Sequence, residues 1–459
     1  MSAVRQSSSN SDILTGSIPA TLKRMTVPMI FGMIMLMSFN LVDTFFISLL
    51  GTEPLAAVSF TFPVTFTIIS LAIGLGIGTS AVIAKALGSK DIEEAKFDAF
   101  ISLILAAVLV ALLAALGYVL MDPIFTLLGA DESTLPYIHD YMNVWFLGAV
   151  FLITPMIGNS VLRASGDTKT PSMIMGLGGL INAVLDPILI FGLGPIPALG
   201  VQGAAIASVI AWAVGVVVII YLLAIKKRLL SCSSAKQSIW GAVTKIMKIG
   251  LPAAGANMLT PIAMAVMTAI VATYGAQAVA AFGVGSRIES IACLVILALS
   301  MTLPPFVSQN YGAGNFTRVK EAYTKTLKFV LMWQFGIYVF LILTAHWVSQ
   351  AFGNEPEVIA IIKLFIYTLP LSYGLQGIII LTNSSFNALH KPMNALILSI
   401  VRLFVFYIPC AYIGSHIAGL TGLFVGAAIG NLFTAIAAYT WFSKTLNDMQ
   451  QEGSEVHSS

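Results

Sequence analysis

Charge is what this sequence has least of. Asp, Glu, Lys and Arg make up 9% of its 459 residues, against about 25% in soluble domains, which excludes an ordinary water-facing fold. The three cysteines, Cys232, Cys293 and Cys410, lie far apart without metal-ligand spacing, which argues against a disulfide framework or a zinc site. The five histidines, His139, His346, His390, His416 and His457, show neither metal-ligand spacing nor a nucleophile-and-base pattern, so an intramembrane enzyme finds no catalytic set. No strand precedes the "GLGIG" run at 74–78, so a nucleotide-binding reading fails, and its glycines read as close helix contacts. The short alternating segments of a β-barrel are missing too.

What is present is apolar. Hydrophobic residues are 58% of the chain, mean hydropathy is +0.93, and runs of about 20 residues, enough to cross a bilayer, recur almost throughout. The fold class that follows is an all-α polytopic membrane protein. Its twelve transmembrane spans lie near 25–50, 55–84, 97–120, 135–160, 171–192, 200–224, 249–273, 278–307, 321–345, 357–386, 392–413 and 420–442. The run from Met25 is too long for a signal-peptide core and reads as a retained span. The first twenty or so residues and the last fifteen are polar and Ser-rich, a composition that favours disorder. Basic residues gather in alternate connections, among them Lys85, Lys90, Lys96, Arg163, Lys169, Lys226, Lys227, Arg228, Lys245 and Lys391. The connections between carry acids instead, with Lys363 near the start of span 10 as a lone exception, which places both termini in the cytoplasm.

The chain also repeats itself. "VPMIFGMIMLMSFNLVDTFFISLLGTEPLAAVS" (27–59) aligns with "LPAAGANMLTPIAMAVMTAIVATYGAQAVAAFG" (251–283) at an offset of 224 residues, which pairs Pro28 with Pro252, Gly51 with Gly275, Gly88 with Gly312 and Asn159 with Asn383. Two six-helix lobes related by an internal pseudo-two-fold duplication follow. They divide the chain into an amino-terminal segment 1–24, an N-lobe 25–224, a linker 225–248, a C-lobe 249–442 and a tail 443–459. Parallel duplication of this kind is a transporter layout, with the substrate cavity between the halves.

Against that repeat the intramembrane charges are asymmetric. Asp43 in span 1 and Asp186 in span 5 have the mates Met267 and Tyr407. The second half offers Arg287, Glu289 and Arg402, with no acid at either equivalent site. Asp186 lies fifteen residues beyond Pro171 and Asp43 eighteen beyond Met25, about 22 and 27 Å along their helices at 1.5 Å per residue, so both reach similar depth. Asn182 shares a face with Asp186, one turn earlier, and Pro187 frees a backbone carbonyl near Ala183. Such an oxygen-rich cluster suits Na⁺ and equally a proton. The bland reading is that both acids sit near span ends and reach water. Ser208 either adds a hydroxyl to the cluster or packs helices. Met33 and Met37, with Phe39, suit a promiscuous pocket, against a plain core or lipid-facing role. Arg287 and Glu289, two residues apart, read as an interfacial ion pair. Arg402 lies deeper and either lines the second lobe or packs helices.

These residues resemble a known family, the multidrug and toxic compound extrusion (MATE) transporters, of MATE/MOP-type fold. The likeness is carried by "NAVLDPILIFGLG", "VDTFFISLLGTEPLAAVS", "LRASGDTKTP" and "SQNYGAGNFTRVKEA". Acids in the first lobe alone point to the DinF-type branch, since "LPAAGANMLTPIA" and "LSYGLQGIIIL" hold none. The resemblance implies antiport of amphipathic, often cationic drugs against Na⁺ or H⁺ in a bacterial inner membrane, by a monomer with no organic cofactor and no nucleic-acid partner. It implies a cation site of Asp43, Asn182 and Asp186, the same three being the Na⁺ ligands if sodium is the ion. Asn159 and Ser208 join it, and Pro28 is the conformational kink. Read from the residues themselves, the candidate substrate lining takes in Met33, Met37, Phe39, Asn159 and Arg402. The rival within related folds is a flippase for lipid-linked precursors, which needs a strongly basic cavity for which Arg287 and Arg402 are the available residues.

Overall fold

In a computed structural model of the chain the described residues are 13–233, 237–353 and 355–458. Residues 1–12, 234–236, 354 and 459 lie outside them, and with them most of the polar amino-terminal stretch and part of the linker read from sequence. The described residues are helical with no β-strand, as the hydropathy requires, because a chain inside a bilayer must satisfy its own backbone hydrogen bonds.

The first half forms α1 (Ile18–Ser48), α2 (Thr52–Gly88), α3 (Ile92–Val119), a short α4 (Met121–Leu127), α5 (Leu135–Ala164), α6 (Lys169–Phe191) and α7 (Val201–Ile220), which runs on into a π-helical turn, Tyr221–Lys226. The second half follows with α8 (Ile239–Ala272), α9 (Ala276–Ala292), α10 (Leu294–Gly312), α11 (Phe316–Phe352) and α12 (Pro356–Thr368). A 3₁₀ turn leads to α13 (Tyr373–Ala388). Then come α14 (Pro392–Ile400), a π-helical segment Val401–Tyr407, and α15 (Ile408–Ser458).

Ten of these helices, some joined end to end, are long and apolar enough to cross a membrane, and α9 with α10, bent by 45°, adds another. The last helix is broken at Ala418 and Gly419, whose backbone angles are not helical. Counted on both sides of that break, the described residues hold twelve spans. One expectation fails at the end of the chain: the polar tail is not irregular, because α15 continues to Ser458.

The duplication is visible in the backbone. Gly51 and Gly275, one repeat apart, take φ of 115° and 106°. Lys90 and Gly314 take 64° and 75°, and Gly166 and His390 take 85° and 59°. Each pair marks the same helix-to-helix turn. Lys90 and His390 adopt the left-handed region without glycine's freedom, so the turn geometry and not the residue type is what the repeat preserves.

The chain divides into two compact units, Met1–Ala254 and Gly255–Ser459, with α8 shared at its midpoint. Residues 239–248, read from sequence as linker, are the helical start of α8. In the first unit this start is packed through glycine. A Cβ on Gly74 would come 2.4 Å from the Gly250 carbonyl oxygen, and one on Gly78 would come 2.6 Å from that of Ile246. Ionic contacts reinforce the seam. Lys245 pairs with Glu94 and with buried Asp98 (3.1 Å), and Gln237 donates to Asp98 (3.2 Å).

Candidate ion-coupling site

The site is assembled by a stripe of contacts between α1 and α6. Ser172 donates to Met29 Sδ (3.5 Å) and lies against Gly32, where an added Cβ would come 2.9 Å from the Ser172 Cα. Further along, Met35 covers Gly176 and the Phe39 ring covers Gly179, 2.1 Å from where a Cβ would stand. Positions 32, 35 and 39 lie on one face of α1, and 172, 176 and 179 on one face of α6, by the three-and-four spacing of helices. Residue numbers rise together on both helices, so the two run parallel. Continuing the same stripe brings Asp43 to Asp186.

The two carboxyls meet at hydrogen-bond range. Asp186 is wholly buried; Asp43 is half-buried, with its Oδ1 enclosed and without a partner. Asn182, one turn before Asp186, completes the group from α6. Its amide is best satisfied with the nitrogen donating to Asp186 Oδ2 (3.3 Å) and the oxygen accepting from Ser208 N–H (3.3 Å) and Oγ (3.1 Å). Ser208 arrives on α7, which approaches α6 closely at Gly203, where a Cβ would come 2.3 Å from the Leu189 carbonyl oxygen. Pro187 does not end α6, which continues to Phe191.

The structure therefore brings four sequence-nominated residues together: Asp43, Asn182, Asp186 and Ser208. Asn159 is buried on α5 with its Oδ1 unpartnered, so that oxygen forms no bond to the acids. Its repeat mate Asn383 also has an unpartnered, enclosed Oδ1, in a half without the acids. Pro28 lies inside α1, which runs on past it to Ser48. Phe39 is a wedge in the α1–α6 seam, while Met33 and Met37 are half-buried. Arg402 lies in the second unit. Arg287 and Glu289 do not pair: Arg287 is exposed and Glu289 accepts from Gln376 (2.8 Å). Residues two apart on a helix point away from each other.

One residue escaped the sequence reading. Tyr141 of α5 lies within electrostatic reach of both Asp43 and Asp186. A tyrosine in an aromatic-rich span carries no signal of its own, so only its position in space reveals it.

As a binding group the cluster offers carboxyl, amide and hydroxyl oxygens from three helices. Among the described residues no group of three His, Cys, Asp or Glu side chains stands close enough to hold a metal. Na⁺ would thus draw on Asp43, Asp186 and neutral oxygens, and the amide nitrogen facing Asp186 takes up a lone pair that Na⁺ would need. A proton shared between two carboxyls requires no further oxygen.

The family model MatE matches residues 28–188 and 252–413, two blocks that begin one repeat apart. The chain belongs to the MatE family. It is 43% identical over 431 residues to the FAD transporter of Shewanella oneidensis, covering 93% of this chain and 95% of that one. It is 28% identical to the multidrug export protein MepA of Staphylococcus aureus, over 90% and 91% of the two chains. Among solved structures it resembles the Vibrio cholerae MATE transporter VcmN in its bent form, with 36% identity, coverage of 97% and 99%, and a TM-score of 0.91. MatE members are transporters and not enzymes, and this chain is accordingly a multi-pass membrane transporter.

Proposed function

We propose that this MatE protein is a cation-coupled antiporter that exports amphipathic organic compounds by alternating access, with Asp43 and Asp186 as the coupling pair and the proton as the favoured ion. The observation that carries the reading is the contact between the two carboxyls in one half, against Met267 and Tyr407 at the mates. Two ionised carboxylates in contact repel, and a proton entering from outside relieves that repulsion. A ligand shifts a conformational equilibrium only through differential affinity for its states, and a proton that bridges two acids on α1 and α6 favours the state in which those helices are drawn together. Cargo release would accompany that state. One charge crossing 100 mV contributes about 2.3 kcal/mol, enough for roughly a forty-fold gradient. The chain would act as a monomer in a bacterial inner membrane with both termini cytoplasmic, in keeping with its basic connections.

The test is efflux of ethidium from proteoliposomes with ΔpH and a Na⁺ gradient imposed separately. ΔpH alone should drive it. Transport driven by Na⁺ alone would remove the proton assignment, and efflux indifferent to both gradients would remove the coupling.

A second reading concerns the cargo. Similarity at 43% identity to a protein named FAD transporter favours flat aromatic molecules bearing anionic groups as substrates alongside, or in place of, cationic drugs.

A further inference from the structure

The second unit holds a polar cluster at the place where the first holds its acids. Arg402 lies ten residues into the span that opens at Pro392, about 15 Å along it, which is the middle of a core about 30 Å thick. A guanidinium at that depth is expensive and marks a functional site by default. Among the described residues none of the ion pairs includes Arg402. Its Nε is enclosed with no hydrogen-bond partner.

The segment that carries it is π-helical, Val401–Tyr407, whereas the matching stretch of α6 is not. Hydrogen bonds from i to i+5 bring positions five apart onto one face, so Arg402 and Tyr407 lie together, within electrostatic reach of each other. Such local widening recurs at functional sites. Tyr373 of α13 is wholly buried with an unpartnered hydroxyl, and it lies near Tyr407 and Glu289. Glu289 is the nearby counter-charge, held by Gln376 and within reach of Arg402 but not paired with it.

The group thus presents unused donors: a guanidinium Nε and a phenol. The planar guanidinium fork suits carboxylate and phosphate oxygens. We propose that Arg402 and Tyr373, with Tyr407 beside them, form a subsite that binds an oxyanion group of the cargo, a phosphate or a carboxylate. Glu289 balances Arg402 when no anion is bound. This inference rests on the second reading of the cargo above, and not on the acid pair of the first unit.

Flavins isolate the oxyanion. Riboflavin and FMN share a ring and differ by one phosphate, and both report binding by fluorescence. With the full chain in phosphatidylcholine nanodiscs, FMN should bind at least tenfold more tightly than riboflavin. Arg402→Gln should erase that difference and leave riboflavin unchanged, which also shows that the variant is folded. Arg402→Lys should keep part of it, Tyr373→Phe should weaken FMN a few-fold, and Glu289→Gln should tighten FMN. Equal binding of the two flavins by the wild type overturns the subsite, as does an equal loss of both in Arg402→Gln. If phosphatidylglycerol in the discs displaces FMN from the wild type and FMN is not transported, a lipid phosphate is the occupant and the cargo assignment falls. Ethidium efflux by the wild-type protein that follows ΔpH, measured alongside, separates failure here from failure of the coupling pair.

Discussion

Asp43 and Asp186 touch through their carboxyls although each is delivered by a different helix, and the contact exists because α1 and α6 run parallel. The pair acts as one unit. Asp43→Asn and Asp186→Asn should each reduce ΔpH-driven ethidium efflux to that of protein-free vesicles, with membrane insertion unchanged. The double variant should be no worse than either single one, since groups that act as a unit are not additive. Substantial efflux in either single variant would remove that residue from coupling.

The seam that sets this contact is tight. A Cβ on Gly179 would come 2.1 Å from the Phe39 ring, so Gly179→Ala forces the ring or the helix to move, at about 1–3 kcal/mol. Thermal unfolding in detergent should show the loss. Adding Phe39→Leu should recover part of it. A Gly179→Ala protein as stable as wild type would mean that the seam is looser than described.

Lys245 holds the start of α8 to α3. Asp98 is wholly buried, and Lys245→Met leaves it without a cation. Loss of a partner for a buried charge costs about 3–5 kcal/mol, but the Lys245 side chain is 35% exposed, so water reaches the ion and about 1–3 kcal/mol is expected. The Lys245→Met, Asp98→Leu double variant should regain much of this in a melting experiment. If the single variant melts with the wild type, the ion cluster contributes nothing.

The connection between α5 and α6 supplies a pH-dependent contact outside the membrane. Burial alone would raise the Asp167 carboxyl, but hydrogen bonds from Lys227 and Thr170 outweigh it and hold the group below the usual carboxylate range. A depressed folded value stabilises the protein above the unfolded value, about 3.9, and the contribution disappears as pH falls through the folded value. The stability gap between wild type and Asp167→Asn should therefore be constant from about pH 5 to 8 and close below about pH 4. A gap that stays open at the lowest pH would assign the effect to packing.

Much of the architecture was legible because it follows from one-dimensional signals. Apolar run length gives the spans, and the 224-residue offset gives the duplication, which reappears as matched positive-φ turns at Gly51 and Gly275. The acids stood out because the second copy lacks them. Asn159 was nominated through the family resemblance, yet Asn383, in the half without the acid pair, has the same orphaned oxygen, so the amide belongs to what the halves share. The Arg287–Glu289 pairing failed for a reason already in the helix: neighbours at i and i+2 face apart.

By itself, then, the sequence determined the helical class, the twelve spans, the repeat and which half carries the carboxylates, because length, hydropathy and spacing are properties of the chain. Only the tertiary structure decided that Phe39 wedges onto Gly179, that Tyr141 lies within electrostatic reach of the acids, and that Arg402 and Tyr373 leave donors unused in the second unit. Those depend on how one helix face is rotated and slid against another. That is set by the packing of small and large side chains from distant segments, which no local pattern encodes.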